Sequence, residues 1–121
     1  MHLIDANIIL RYVLNDHKEF SLKARKFIGE NIVETPIEVV FVLKRVYGIN
    51  QKDIADTLLD FYRNTNCILP HRDAVIRGIE YFGDKNLDFV DCILAGYYEV
   101  ENIAIQTFDE KLGTIAKTKA I

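Results

Sequence analysis

The sequence predicts an α/β sandwich with a short, mainly parallel central sheet, formed by one domain spanning residues 1–121. Three observations predict it. Four short apolar runs begin at Leu3, Ile32, Cys67 and Ile103, and each is too brief for a helix and bounded by polar or helix-patterned segments. The longer segments between them carry helical spacing, and strands that alternate with helices favour crossover connections and parallel pairing. The chain has 121 residues, 50% of them hydrophobic and 27% charged, enough to bury one core of ordinary composition.

The elements follow in order. Leu3 and Ile4 open a strand that ends at Asp5, because a lone carboxylate inside an apolar run is costly to desolvate and belongs at the strand's exit. Residues 8–15 continue as a short helix carrying Arg11 and Tyr12, and residues 15–17 make a turn. Residues 21–29 are amphipathic, with Leu22, Ala24, Phe27 and Ile28 inward, Lys23, Arg25 and Lys26 outward, and Gly29 as the stop. A brief strand covers 31–34. Thr35, Pro36 and Glu38 then form a capping-box pattern, with Thr35 as N-cap, Pro36 first in the helix and Glu38 third. That helix runs through Val39, Val40, Phe41, Val42 and Leu43 to about Gly48, apolar nearly all round and so expected to be deeply packed.

The second half repeats the alternation. Residues 51–64 are an amphipathic helix, residues 67–69 a short strand closed by Pro70, and residues 73–84 a helix with Ala74, Val75, Ile79 and Phe82 inward. A turn at 86–88 leads to Asp88 as the cap of a helix over 89–100, in whose first turn Asp91 is favoured by the helix dipole. Residues 103–105 are a buried strand, 106–109 its exit, 110–117 a last helix, and 120–121 an edge.

Composition narrows the setting. A formal charge of −3 gives no general attraction to nucleic acid, so binding to one depends on local clusters of Lys and Arg. No apolar run approaches the roughly 20 residues of a membrane span. The fold pattern starts at once, and no signal peptide is expected before Asp5. Cys67 and Cys92 make no CxxC or zinc-like group and suit core packing in a reducing cytoplasm.

Four acids sit at comparable places. Asp5 and Asp109 leave strand ends, while Glu38 and Asp91 open helices. In a parallel α/β sheet the ligand site lies at the carboxyl ends of the strands, and neighbouring strand ends would bring the four acids to one cleft. Crowded carboxylates raise one another's pKa unless a cation neutralises them. Oxygen donors without a His or Cys cluster favour Mg²⁺ or Mn²⁺ over Zn²⁺. Such ions activate water and stabilise a phosphodiester during in-line displacement, which points to hydrolysis of a nucleic-acid backbone.

The motifs carry a resemblance. Residues 3–12 (LIDANIILRY), 35–39 (TPIEV), 88–95 (DFVDCILA) and 106–112 (QTFDEKL) together resemble those of PIN-domain proteins, and in size most of all the VapC-type toxins of prokaryotic toxin–antitoxin pairs. The resemblance implies a Mg²⁺/Mn²⁺-dependent endoribonuclease, acting on RNA, with an antitoxin protein as partner and a homodimer as assembly. It implies that Asp5, Glu38, Asp91 and Asp109 form the catalytic and metal-binding quartet, with Asp5 and Asp91 as primary ligands. Glu38 would hold a second ion or orient the attacking water, and Asp109 would bind metal directly or through water. Asn7 and Thr107 match supporting polar positions, and Asp88 is either an outer ligand or the helix cap.

Other residues divide between function and surface. Arg11, Lys44, Arg45 and Lys111 are candidates to steer RNA phosphates, although solvated helix faces also explain them. His2, His17 and His71 are scattered and take no role. Phe61, Tyr62, Tyr97 and Tyr98 fit core or dimer contacts better than base stacking. Two alternatives stand beside the nuclease. A receiver-like phosphoacceptor domain has a similar length and an acidic pocket, but Asp53, Asp56 and Asp60 fall in a helical pattern rather than at a strand end. A PIN-like interaction module that has lost catalysis would not need the intact quartet.

Overall fold

Two short strands that pair in parallel begin the fold. In the computed structural model, which describes residues 1–14, 23–26, 28–29 and 31–115, β1 (Leu3–Ile4) lies beside β2 (Ile32–Val33). Leu3 faces Ile32 and Ile4 faces Val33. Ile68 adds a further parallel rung: Val33 N–H donates to its carbonyl and its own N–H donates to the Asn31 carbonyl, both at 2.9 Å. The segments are short because each is cut off by a polar or proline-containing exit, Asp5 after β1 and Glu34-Thr35-Pro36 after β2.

The described helices are α1 (Ala6–Leu14), α2 (Ile37–Arg45), α3 (Gln51–Arg63), α4 (Arg72–Asp84), α5 (Phe89–Glu101) and α6 (Glu110–Ile115), with residues 23–26 and 28 also helical. The chain divides into two compact units, Met1–Pro70 and His71–Ile121. In the first, α1 and α2 each pack on α3 and on one another. Ile54, Leu58, Phe61 and Tyr62 recur at helical spacing on α3 and are all buried. The Tyr12 ring meets that of Phe61 edge-on, with centroids 5.3 Å apart. Asn50 caps α3, its side-chain oxygen accepting the Asp53 N–H at 2.9 Å.

The second unit is built on the pairing of α4 with α5. Ala74, Val75, Ile79 and Phe82 are buried, as their spacing predicts. The helices approach so closely that a Cβ on Gly96 would stand 2.2 Å from the Ala74 carbonyl oxygen and 2.8 Å from the Gly78 nitrogen. At this crossing only hydrogen fits. Ala95, Ile105 and Leu112 then form a small apolar cluster with Tyr81 and Tyr98 packed against it.

The structure corrects four expectations. Residues 67–69 form no strand but a single bridge at Ile68, because Pro70 and the helix that follows cut the segment off after one rung. Residues 102–106 form no strand; Ile103 is 50% exposed and only Ile105 turns inward. Asn102 ends α5 in a left-handed conformation (φ 56), and the apolar run that follows joins no sheet among the described residues. The helix over residues 37–45 is not packed all round, because Ile37 and Phe41 face solvent. It also ends at Arg45, ahead of Gly48, whose φ of 66° suits glycine. Expectations for residues 15–22, 27, 30 and 116–121, including the turn at 15–17, His17 and the 120–121 edge, lie outside the described residues.

The glycine crossing gives a stability prediction. Gly96→Ala forces backbone apart rather than displacing a flexible side chain, and such overpacking costs on the order of 1–3 kcal/mol or more. Denaturant unfolding of Gly96→Ala should show a lower midpoint than the parent protein; an unchanged midpoint would show that the helices part freely.

Candidate active site

In the first unit the sheet register places the acids. Parallel strands leave a sheet at the same edge, so the residues that follow the Ile4/Val33 pair, Asp5 and Glu34, emerge side by side. Asp5 turns directly into α1, its carbonyl accepting the Ile8 N–H at 3.0 Å. Asp5, Glu34, Thr35 and Glu38 line one pocket floored by Ile4, Ile9 and Val39. Asn7 is exposed on the first turn of α1.

Glu38 reaches this pocket because it is not consumed by capping. The N-cap position of α2 is Pro36 (φ −80, ψ 49), which puts Thr35 outside the helix and Glu38 second rather than third. Ile37 N–H donates to the Thr35 carbonyl at 2.8 Å and Val40 N–H to the Pro36 carbonyl at 3.0 Å. The reciprocal Thr35–Glu38 bonds of a capping box need the N-cap-to-third spacing and are not made. One residue of shift frees the carboxylate.

In the second unit Asp88, Asp91 and Asp109 interact. Asp88 does occupy the N-cap of α5 with extended backbone (φ −65, ψ 152), but its side chain makes no capping hydrogen bond. Its carbonyl still accepts the Cys92 N–H at 3.1 Å. Asp91, one turn in, is half-buried, and desolvation pushes its carboxyl above the usual carboxylate range, with repulsion from Asp109 and then Asp88 adding to the rise. A helix N-terminus favours a carboxylate by only about 0.3–1 kcal/mol, and here burial and like charge prevail. Beside it the Cys92 thiol is pushed up to about 12, mainly by burial and further by Asp91 and Asp88.

Asp109 has a structural duty as well. Its Oδ1 accepts the Leu112 N–H at 2.9 Å and its carbonyl accepts the Gly113 N–H at 2.9 Å, which caps α6. Thr107 supports it: the Asp109 N–H donates to the Thr107 Oγ1 at 2.9 Å. Of the candidate phosphate-steering residues, Arg11, Lys44, Arg45 and Lys111 are all exposed; Lys44 donates to Gln51 Oε1 at 3.2 Å, and the Arg45 guanidinium lies 5.9 Å from the Phe41 ring centroid.

The acids thus come as Asp5 with Glu38 in one unit, and as Asp91 with Asp109 and Asp88 in the other. Among the described residues, no group of three or more His, Cys, Asp or Glu is gathered so as to hold a metal ion. The donor chemistry nevertheless suits a hard dication: the donors are carboxylate oxygens, and the charge at Asp91 is of the kind a bound cation relieves. Glu34 is the acid that sequence reading passed over. Its signal was its place directly after an apolar pair, the same place Asp5 holds.

The raised Asp91 carboxyl has a pH signature. A folded-state pKa above the unfolded value contributes stability below the ordinary carboxylate range, and that contribution is lost as pH rises through the raised value. Without metal, Asp91→Asn should therefore melt higher than the parent protein at neutral pH, and the difference should fade on acidification. A variant that melts lower at neutral pH would show that the Asp91 charge stabilises the fold.

Comparison with protein families matches the PIN domain over residues 2–118, a stretch that takes in Asp5, Glu38, Asp91 and Asp109. Comparisons with curated proteins and with solved structures find no match. The family match displaces the receiver-like alternative, and the short parallel sheet with its helices is consistent with an α/β domain of this family. The chain belongs to the PIN-domain family.

Proposed function

We propose that this protein is a Mg²⁺/Mn²⁺-dependent endoribonuclease that hydrolyses RNA phosphodiester bonds, and that it serves as the toxin of a type II toxin–antitoxin pair. The observation that carries the proposal is the family match over residues 2–118, since PIN domains are generally nucleases and all four motif acids are present. Two features of the site support it. Asp5 and Glu38 share a pocket, and Asp91 bears a carboxyl strained by burial and like charge, as groups at reactive sites often do.

Asp5 and Asp91 are assigned as the residues that hold the dication, with Asp109 as a direct or water-linked ligand. When bound, the ion supplies an acidified water and offsets the charge that develops on the phosphodiester. Glu38 either holds a second ion or accepts a hydrogen bond from the attacking water, which orients it toward phosphorus. Thr107 acts through Asp109 by fixing its backbone, and Asn7 supports Asp5 from the first turn of α1. Asp88 adds negative charge beside Asp91. Arg11, Lys44, Arg45 and Lys111 are assigned to the RNA backbone, a cognate antitoxin to protein partnership, and a homodimer to the assembly. No described helix is long and apolar enough to cross a membrane.

Cleavage of RNA with Mg²⁺ or Mn²⁺, compared with EDTA, tests the reading directly. Asp5→Asn and Asp91→Asn should each lower the rate by at least about 100-fold, the upper range seen for loss of a residue that merely supports a metal ligand. Full activity in both folded variants would overturn the assignment of these acids.

A further inference from the structure

A second pocket in the first unit shares no lining residue with the one that holds Asp5 and Glu38. Tyr12 and Val13 of α1, with Thr57, Asp60, Phe61 and Asn64 at the end of α3, enclose a space of about 230 Å³. The four α3 residues recur at spacings of three and four, so they form one face of that helix's last two turns. Pockets that take drug-sized ligands begin at about 300 Å³, which limits the occupant of this one to a small group.

The lining also sets the charge that fits. Asp60 brings a carboxylate whose ion-pair partner among the described residues, Arg63, stands 3.9 Å away, with the two side chains 74% and 70% exposed. A pair that long and that open to water holds little. The donors of Asn64 turn back on the helix: its N–H and its Nδ2 both reach the Asp60 carbonyl, at 3.0 and 2.8 Å, which leaves its Oδ1 as an acceptor. Asn64 is also the C-cap of α3, and a helix C-terminus carries partial negative charge that favours a cation. Tyr12 adds an aromatic ring, edge-on to Phe61 with centroids 5.3 Å apart, and the face of such a ring attracts cations. Carboxylate, helix end and ring all select positive charge, beside an apolar wall.

We propose that this pocket binds a small protonated aliphatic amine, its ammonium on Asp60 and the end of α3 and its alkyl stem along Tyr12 and Val13. The inference goes beyond the nuclease reading and holds whether or not that reading does. An ammonium has three donors, and the Asp60 carboxylate, the Asn64 Oδ1 and the Thr57 hydroxyl are acceptors for them. The same lining turns other ligands away. An anion meets Asp60 and the negative end of a helix, and an amino acid carries its own carboxylate to that charge. A hard dication needs about six oxygens, where this pocket offers one carboxylate and an apolar wall.

Backbone amide NMR of the whole chain tests the proposal, with n-butylammonium chloride as the probe and sodium chloride at equal ionic strength as the reference. Saturable shifts should centre on Tyr12, Val13, Thr57, Phe61 and Asn64. Half-saturation should fall in the millimolar range, since a ligand of roughly five heavy atoms with solvent-facing partners supports no more. n-Butanol, the same stem without the charge, should bind more weakly. Asp60→Asn should weaken n-butylammonium by about 1.5- to 5-fold and leave n-butanol unchanged, and Tyr12→Leu should weaken the cation by about 2- to 5-fold. Nα-acetyl-lysine methylamide presents the same ammonium on a lysine stem. Binding at least as tight as that of n-butylammonium gives the pocket to a lysine of a partner protein, and weaker binding gives it to a free amine. Shifts that rise linearly without saturating, equal affinity for n-butanol, or an unchanged affinity in Asp60→Asn each overturn the proposal.

Discussion

The first unit depends on the parallel register of β1 and β2. Antiparallel strands would have sent the chain out at opposite edges; parallel ones deliver Asp5 and Glu34 to the same edge, one residue past the paired Ile4 and Val33. Each strand is two residues long, so the ladder is small and its position is secured by what surrounds it: Val33 is fully buried, and Ile68 brings a third rung against Ile32. Once the register is set, the route of the chain follows. Asp5 opens α1 through its carbonyl, Pro36 ends the extended segment, and α2 starts with Glu38 turned to the pocket that Asp5 lines.

The second unit shows the cost of concentrating negative charge in a partly buried place. Asp88 leaves its capping hydrogen bond unmade, Asp91 is drawn out of water by its helix, and Asp109 spends one oxygen on capping α6. The same causes, burial first and like charge second, act on the Cys92 thiol and on the Asp91 carboxyl, and both favour the protonated form. A packed helix pair supports this strain. At the α4/α5 crossing the backbones meet so closely at Gly78 and Gly96 that a Cβ would not fit, and this tight contact holds the helix that carries Asp91.

Much of this was legible in the sequence because periodicity reports directly on burial. The three long helices begin and end within about one residue of their expected limits, and Ala74, Val75, Ile79 and Phe82 are buried as read. The place of Asp5 was legible for a different reason: a charge in an apolar run has few affordable positions, and the strand exit is one. The four family motifs then supplied the PIN domain. Three features were hidden for physical reasons. Capping at α2 turned on one residue of backbone, the difference between Thr35 and Pro36 as N-cap, which no composition signal resolves. The exposure of Phe41 depends on which face of an all-apolar helix meets neighbours, and a run without polar breaks does not mark a face. Residues 103–105 look like a strand by content, but a strand exists only through its partners.

The two cysteines fall one in each unit, Cys67 in the first and Cys92 in the second, both buried and both free thiols. A thiol reacts as its thiolate and only where a reagent can reach it, so burial silences both, and a value near 12 silences Cys92 doubly. Alkylation then waits on opening of the surrounding helices. Labelling rates for the two positions, separated by peptide mass, then report how often the surroundings of each cysteine open, with no engineered probe required.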